Sequence, residues 1–409
     1  MTEQNASLGE NLRALPRGAW ILFFGTFLNK FGTFVVPFLA IYMTQLGYST
    51  AQAGLPIAAY GVGTLGACLL GGSLADRIGR RKTIVLSMFS AAVAMLCLSQ
   101  AHGLAAIILF SGLAGLTGEL YRPASSALLA DLVPAGRRVT AYAAYRMSFN
   151  AGWAFGPATA GLLAQKSFTL LFLGDAATSI LYGIVAWFAL PAGLRGTREA
   201  GTLVDTWRAL RDDKQLRQIV CACLAIGLVF VQAFSSMSLE ITRSGFSAAT
   251  YGLVISLNGA LVVLCELPLT TITKRYPARR MIGLGFLLIG LGFSSNLLTR
   301  TLPLLLLTTT LFTFGEMISM PVAGAYVADL APADRRGLYM GTYGMVWATA
   351  FVFGPSLGMY LFGISRTVLW IGCGVLGIIA AALISGPVAA KPATVLGTRT
   401  TEKAPLGAG

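Results

Sequence analysis

The chain has 409 residues, of which 56% are apolar and only 11% charged, and its formal net charge is +14. A soluble chain carries about 25% charged residues. With fewer than half of that and a mean hydropathy of +0.73, this chain cannot clothe a water-facing surface and is expected in a lipid bilayer.

About 20 apolar residues cross the hydrocarbon core as a helix, which satisfies its own backbone hydrogen bonds. Twelve such spans are predicted, near 18–43, 52–74, 83–101, 104–130, 139–164, 167–190, 217–242, 248–272, 280–298, 302–328, 337–363 and 367–387. A β-barrel needs short alternating strands, and "LFLGDAATSILYGIVAWFAL" (171–190) does not alternate. The expected fold class is therefore an all-α membrane protein of twelve transmembrane helices.

The first 17 residues are polar and lead into a span-length apolar run, so no cleavable signal is expected. Span 1 carries Asn29 and Lys30, the lysine about 18 Å deep at the helical rise. A charge at that depth needs a partner or a cavity, and ionisable groups inside spans are commonly functional. The loop between spans 2 and 3 reads "GGSLADRIGRRK" (71–82), with five charges in a chain poor in them. Gly72 and Gly79 permit a tight turn. Asp76 lies where a neighbouring helix can begin, and a carboxylate there gains about 0.3–1 kcal/mol from the exposed N–H groups. Arg77 or Arg81 is expected to pair with Asp131 at the inner end of span 4. Simple topology signalling would explain the arginines, including Arg80, but not Asp76.

In span 4, Glu119 precedes Asp131 by 12 residues, about 18 Å above the inner face. Arg122 is three residues on and shares its face, so the two can pair directly; Lys30 is the other natural partner of Glu119. In span 5, Arg146 and Asn150 share a face. They lead into "NAGWAFGPATAG" (150–161), where Gly152, Gly156 and Gly161 allow close helix contact and Pro157 a bend. Ordinary packing in a kinked helix would account for these residues equally. Asp175 is embedded in span 6, to cap or pack near its outer end.

The chain repeats at an offset of 198 residues. "GYSTAQAGL" (47–55) matches "GFSAATYGL" (245–253), "ADLVPAGRR" (130–138) matches "ADLAPADRR" (328–336), and "FGP" recurs at 155–157 and 353–355. Four regions follow: a six-span half at 1–190, a charged linker at 191–216, a second six-span half at 217–387 and a tail at 388–409. The linker contains "TWRALRDDKQLRQ" (206–218), predicted as an amphipathic helix on the inner surface. The second half embeds Gln232 in span 7, Asn258 and Glu266 in span 8, and Glu316 in span 10, about 20 Å from the inner face. Its copy of the charged loop, "KRYPARR" (274–280), is worn. Lys274 and Pro277 replace the aspartate and a glycine, and Arg279 is expected to pair with Asp329.

With the N-terminus inside, only Lys166, Arg243, Arg300 and Arg366 of the 30 Lys and Arg fall outside, and Lys30, Arg122 and Arg146 fall within spans. The rest lie inside, which is the positive-inside rule. The basic excess is topological, and no nucleic-acid partner is expected. The six cysteines all sit in spans, without zinc spacing or a disulfide framework. His102 is the only histidine, so no Ser–His–Asp set can form, and no Gly-x-x-x-x-Gly-Lys loop is present for ATP. No enzyme activity, metal or cofactor is expected.

Gly72, Leu74, Ala75, Asp76, Arg77, Gly79, Arg80 and Arg81 resemble the G-x-L-A-D-R-x-G-R-[RK] signature of the major facilitator superfamily, and the resemblance covers nearly the whole chain. It implies that this loop latches the two halves on the cytoplasmic side when the carrier faces outward. Gly152, Gly156, Pro157 and Gly161 resemble, in part, the Gly-Pro signature of proton-coupled efflux members; Ala160 stands where a second glycine is usual. Asn29, Lys30, Gly32, Pro37, Phe38 and Tyr42 resemble span 1 of bacterial multidrug and dipeptide exporters of the MdtH and YdeE type.

Two sequence-related halves place a substrate site between them near mid-depth. A coupling carboxyl must hold its proton when dehydrated and release it when hydrated or paired. Glu119 ranks first for that role, then Glu316, with Glu266 as a third. Asn29, Lys30, Arg122, Arg146, Asn150, Gln232 and Asn258 are the expected substrate contacts. The expected function is a proton-coupled antiporter exporting drugs, amphiphiles or dipeptide-like zwitterions, driven by the proton gradient alone. A proton symporter importing peptides, sugars or organic acids is the alternative, and a non-transporting scaffold or sensor a third reading. The partners are the lipid bilayer, a small-molecule substrate and protons. The chain is expected to act as a monomer in a bacterial inner membrane with both termini cytoplasmic.

Overall fold

The computed structural model describes residues 12–134, 137–193, 208, 210–273, 275–298, 301–332 and 336–386. Lys274, the tail from 387 and three residues of the predicted linker helix (206, 207 and 209) lie outside the described residues. The rest of that stretch is helical at 208 and 210–212 and breaks at Asp213, so its last five residues open the next span instead. The described secondary structure is helical throughout and follows the predicted spans. The helices are α1 (Arg17–Gln45), α2 (Thr50–Ile78), α3 (Arg80–Ser99), α4 (Leu104–Leu132), α5 (Arg138–Lys166), α6 (Thr169–Ala189), α7 (Lys214–Phe234), α8 (Ala248–Thr273), α9 (Ala278–Leu298), α10 (Leu302–Leu330), α11 (Arg336–Ile364) and α12 (Arg366–Ser385). Eleven of them are long and apolar enough to cross a membrane. The exception is α5, 29 residues long, whose polar positions include Arg146 and Asn150.

Local signals set the boundaries. Ser49 and Gln52 form a reciprocal capping box at the start of α2. Asp213 caps α7 by accepting from the backbone N–H groups of Gln215 and Leu216. Gly79 turns the chain from α2 into α3 at φ +97°, a conformation that a side chain would strain.

Two helices break where proline dictates. A proline ring clashes with the carbonyl four residues earlier. Pro37 accounts for the interruption of α1 between Phe31 and Val35, and Pro123 for the break of α4 at Leu120. The second break leaves Glu119 at a helix end, inside the bundle. Helix α7 closes in a 3-10 turn at Val231–Phe234 and is continued after Ser235 by the helical segment Ser236–Arg243, which is counted with α7 below.

The repeat in the sequence reappears as geometry. The starts of α8, α9, α10 and α11 each follow those of α2, α3, α4 and α5 by 198 residues. The first and last six helices meet along two seams, α2 with α11 and α5 with α8. In one, a Cβ on Gly54 would stand 2.9 Å from the Pro355 carbonyl oxygen, and one on Gly61 would stand 2.5 Å from that of Phe351. In the other, Gly252 lies against the Pro157 carbonyl and Gly259 against the Ala154 backbone. Gly252 and Gly259 are Gly54 and Gly61 shifted by 198, so the repeat builds the same backbone-to-backbone contact twice. Beside the proline of α5, the Ala158 N–H donates to Ser256 Oγ of α8 at 2.8 Å.

These seams lie toward the face opposite the chain ends, the far face. There Arg243 also donates to Thr50 Oγ1 across the halves at 2.8 Å. Toward the face carrying the start of α1 and the end of α12, the terminal face, α2 and α11 diverge: a Cβ on Gly72, Gly341 or Gly344 would meet nothing within 4 Å. The bundle is closed at the far face and open at the terminal face.

Candidate functional site

A cavity of about 450 Å³ lies between the two groups of helices. Tyr142, Tyr145, Arg146, Phe149 and Asn150 line it from α5, joined by Arg122 of α4. Val262 and Glu266 of α8 and Glu316, Met320 and Pro321 of α10 form the opposing wall. At the helical rise, Tyr142 is about 6 Å and Asn150 about 18 Å from the start of α5, so the cavity runs from mid-depth toward the terminal face.

The charges divide by wall. Arg122 and Arg146 come from the first six helices, Glu266 and Glu316 from the last six. Both guanidiniums reach into the cavity, the Arg122 side chain 50% exposed and that of Arg146 55%. Arg146 forms an ion pair with Glu266 across the α5–α8 seam. Glu316 accepts from Asn258 Nδ2 at 2.8 Å, and the same amide reaches Thr313 Oγ1 at 3.0 Å.

Behind the Arg122 wall lies a buried charge cluster. Lys30 Nζ meets Glu119 Oε1 at 2.7 Å, with both side chains less than a tenth exposed. Arg122 Nη1 reaches the other oxygen of the same carboxylate at 3.3 Å. The Lys30 ammonium stands 5.7 Å from the Tyr121 ring centroid and 5.2 Å from that of Phe149. Arg122 stacks over Phe149 at 5.4 Å. Glu119 thus serves two cations, one sealed in the helix bundle and one facing the cavity. This arrangement joins both partners the sequence offered for Glu119. Asp175, buried in α6, faces the backbone N–H groups of Phe34 and Val35, where α1 restarts. It complements that helix start.

Other predicted residues fall elsewhere. Asn29 is buried beside Lys30, its amide nitrogen 3.7 Å from Met88 Sδ, and does not line the cavity. Gln232 is 3% exposed. It donates to the Leu228 and Gly354 carbonyls and accepts from the Ser235 and Ser236 hydroxyls. It stitches the α7 break to α11 and stands away from the cavity lining. Gly152 and Gly156 of α5 pack against the backbone of α1 at Lys30 and Phe31, and Gly161 against α8 at Ala249.

The charged loop differs from expectation in its partners. Arg80, rather than Arg77 or Arg81, holds Asp131, at 3.3 Å, and pairs with Asp76 one turn back in the chain. Arg81 instead donates to the Leu190 carbonyl at 3.2 Å. Arg80 opens α3, so its side chain turns back over the gap to α4; Arg81 is rotated about 100° around that helix. In the worn copy, Arg279 donates to Tyr326 Oη and the Gly386 carbonyl, and not to Asp329.

Sequence reasoning missed the aromatic part of the cavity. Tyr142, Tyr145 and Phe149 sit three and four residues apart, on the face of Arg146, and that spacing was the available signal. It also missed Glu240, 3% exposed near the far face. This carboxylate accepts from Arg366 at 2.5 Å and from Trp370 Nε1 at 2.9 Å, a pairing between α7 and α12 that no local pattern announces.

The sequence profile described as Major Facilitator Superfamily matches residues 22–247 and 233–407. The chain is 26% identical over 376 residues to the multidrug resistance protein MdtH of Klebsiella pneumoniae (strain 342), covering 90% of this chain and 93% of the other. It is 24% identical over 368 residues to a Na(+), Li(+), K(+)/H(+) antiporter of Planococcus maritimus, covering 80% and 85%. Among solved structures, a POT family transporter in complex with 5-aminolevulinic acid superposes with a TM-score of 0.78 at 16% identity, covering 90% of this chain and 96% of the other. At that identity the likeness is one of fold.

Proposed function

The chain belongs to the Major Facilitator Superfamily, and we propose that it is a proton-coupled antiporter exporting small organic molecules by alternating access. Membership makes it a membrane-spanning transporter of small molecules, not an enzyme. The observation that carries the finer reading is a charged cavity between two repeat-related groups of helices, sealed at the far face and open at the terminal face. The positive-inside count supports a cytoplasmic terminal face, and with that orientation the cavity is poised to load from inside. Residues 1–190 and 217–387 then rock about the seams as two bodies. The similarity to the MdtH protein supports export, and that to the cation/H(+) antiporter supports proton exchange.

Glu119 is the first candidate for the coupling carboxyl, because two cations can compete for it. Glu316 is the second, held by the Asn258 amide rather than by a direct ion pair. The loop at Gly72–Arg81 is the latch of the opposite state. In the inward-open form Asp76 and Asp131 are parked on Arg80.

The test is flux in proteoliposomes with both gradients set independently. Proton influx driving substrate out against its gradient supports the reading. Co-directional movement would make it a symporter, and silence under every gradient would make it a scaffold.

A further inference from the structure

We propose that Arg146 and Glu266 are the two anchors of a zwitterionic ligand, and that their ion pair is the contact this ligand displaces. The inference rests on the cavity being the transport site and narrows its substrate class. The pair bridges the halves in the terminal-side part of the α5–α8 seam. The repeat shows that this bridge is not a requirement of the fold. Shifted by 198, Arg146 becomes Gly344 and Glu266 becomes Cys68, and the α2–α11 seam carries no bridge there. The α2–α11 seam has a glycine and a cysteine at the corresponding positions; the α5–α8 seam has two opposite charges there, inside a cavity.

Charges in such surroundings need partners, and removing one leaves the other uncompensated. While the cavity is empty, Arg146 and Glu266 neutralise each other. For a charged ligand to sit between these walls, the bridge must open, and each charge must find a new counterion. A cationic ligand would satisfy Glu266 and strand Arg146; an anionic ligand would do the reverse. A ligand bearing both charges satisfies both. Arg122 and Glu316 repeat the same polarity, cation on the first wall and anion on the second. The ligand's carboxylate therefore points to α4 and α5 and its ammonium to α8 and α10. Tyr142, Tyr145 and Phe149 supply faces for the body between them.

The experiment is equilibrium binding to the purified full chain in lipid nanodiscs, which is independent of transport direction and of proton coupling. The probes are trialanine, N-acetyl-trialanine, trialanine amide and tetraphenylphosphonium. Trialanine is expected to bind about tenfold or more tightly than either blocked form, since each block removes one charge-assisted contact. Arg146→Gln should lower trialanine affinity to that of the amide while leaving the amide unchanged. Glu266→Gln should lower it to that of the N-acetyl form while leaving that probe unchanged. A purely structural bridge would weaken all probes alike, and that result overturns the proposal. So does tight binding of tetraphenylphosphonium with no preference for trialanine, although the exporter reading then stands. If no probe binds, the cavity is not the ligand site, and the proposal falls with the site it rests on. Arg146→Glu with Glu266→Arg keeps a bridge of reversed polarity. It should retain the preference for trialanine over both blocked forms.

Discussion

Lys30 Nζ and Glu119 Oε1 stand 2.7 Å apart, from helices α1 and α4 and 89 residues apart in sequence, in a pocket that water scarcely reaches. Breaking a buried pair from one side costs about 3–5 kcal/mol where the remaining charge is left bare, whereas removing both partners is far milder. Loss of Lys30 leaves Glu119 only the longer contact to Arg122, at 3.3 Å. Lys30→Met alone should therefore lower the melting temperature in detergent strongly, and adding Glu119→Gln should recover most of the loss. Additive losses in the double variant would show that the two side chains do not interact.

The same carboxylate should separate coupling from movement. Glu119→Gln is expected to abolish substrate accumulation driven by a pH gradient while downhill exchange persists. Glu316→Gln serves as the comparison from the other wall. Uncoupling by Glu316→Gln alone would assign proton handling to α10 and reverse the ranking.

At the charged loop, Asp76→Asn removes one of the two carboxylates on Arg80 and leaves Asp131 in place. An ion pair this near the surface is worth about 1 kcal/mol or less, so folding should be little affected. Transport should nonetheless fall about tenfold, because the opposite state loses its latch. Cysteine labelling should show the terminal side open for longer. Parental transport rates in Asp76→Asn would reduce the loop to a topology signal.

The seams predict a locked carrier. A side chain on Gly252 would drive into the Pro157 carbonyl, and one on Gly61 would stand 2.5 Å from that of Phe351. Gly252→Val should block closure of the far face, so that cysteines placed there react in the absence of substrate. Gly324→Ala, where a Cβ meets nothing within 4 Å, is the control and should transport normally. Equal behaviour of the two variants would remove the seam from the mechanism.

Much was legible in the chain alone. Hydropathy gave twelve spans because a helix in lipid must be apolar over its whole length and close its own hydrogen bonds. The 198-residue offset announced the paired helix starts. The depth of Glu119, Glu316 and Lys30 followed from a fixed rise per residue. All of these are local rules, readable along one helix at a time.

Tertiary structure decided what lies beside what. Neighbouring arginines in one loop look equivalent in sequence, yet only Arg80 reaches Asp131, because helix phase and the position of α4 select it. Gln232 resembled a substrate contact, but it faces α11 and mends a helix break. Arg146 and Glu266, 120 residues apart in sequence, become partners only because α5 packs on α8. Which charges face one another across a cavity depends on the rotation and register of whole helices, and those are fixed by packing between segments that are remote in the chain.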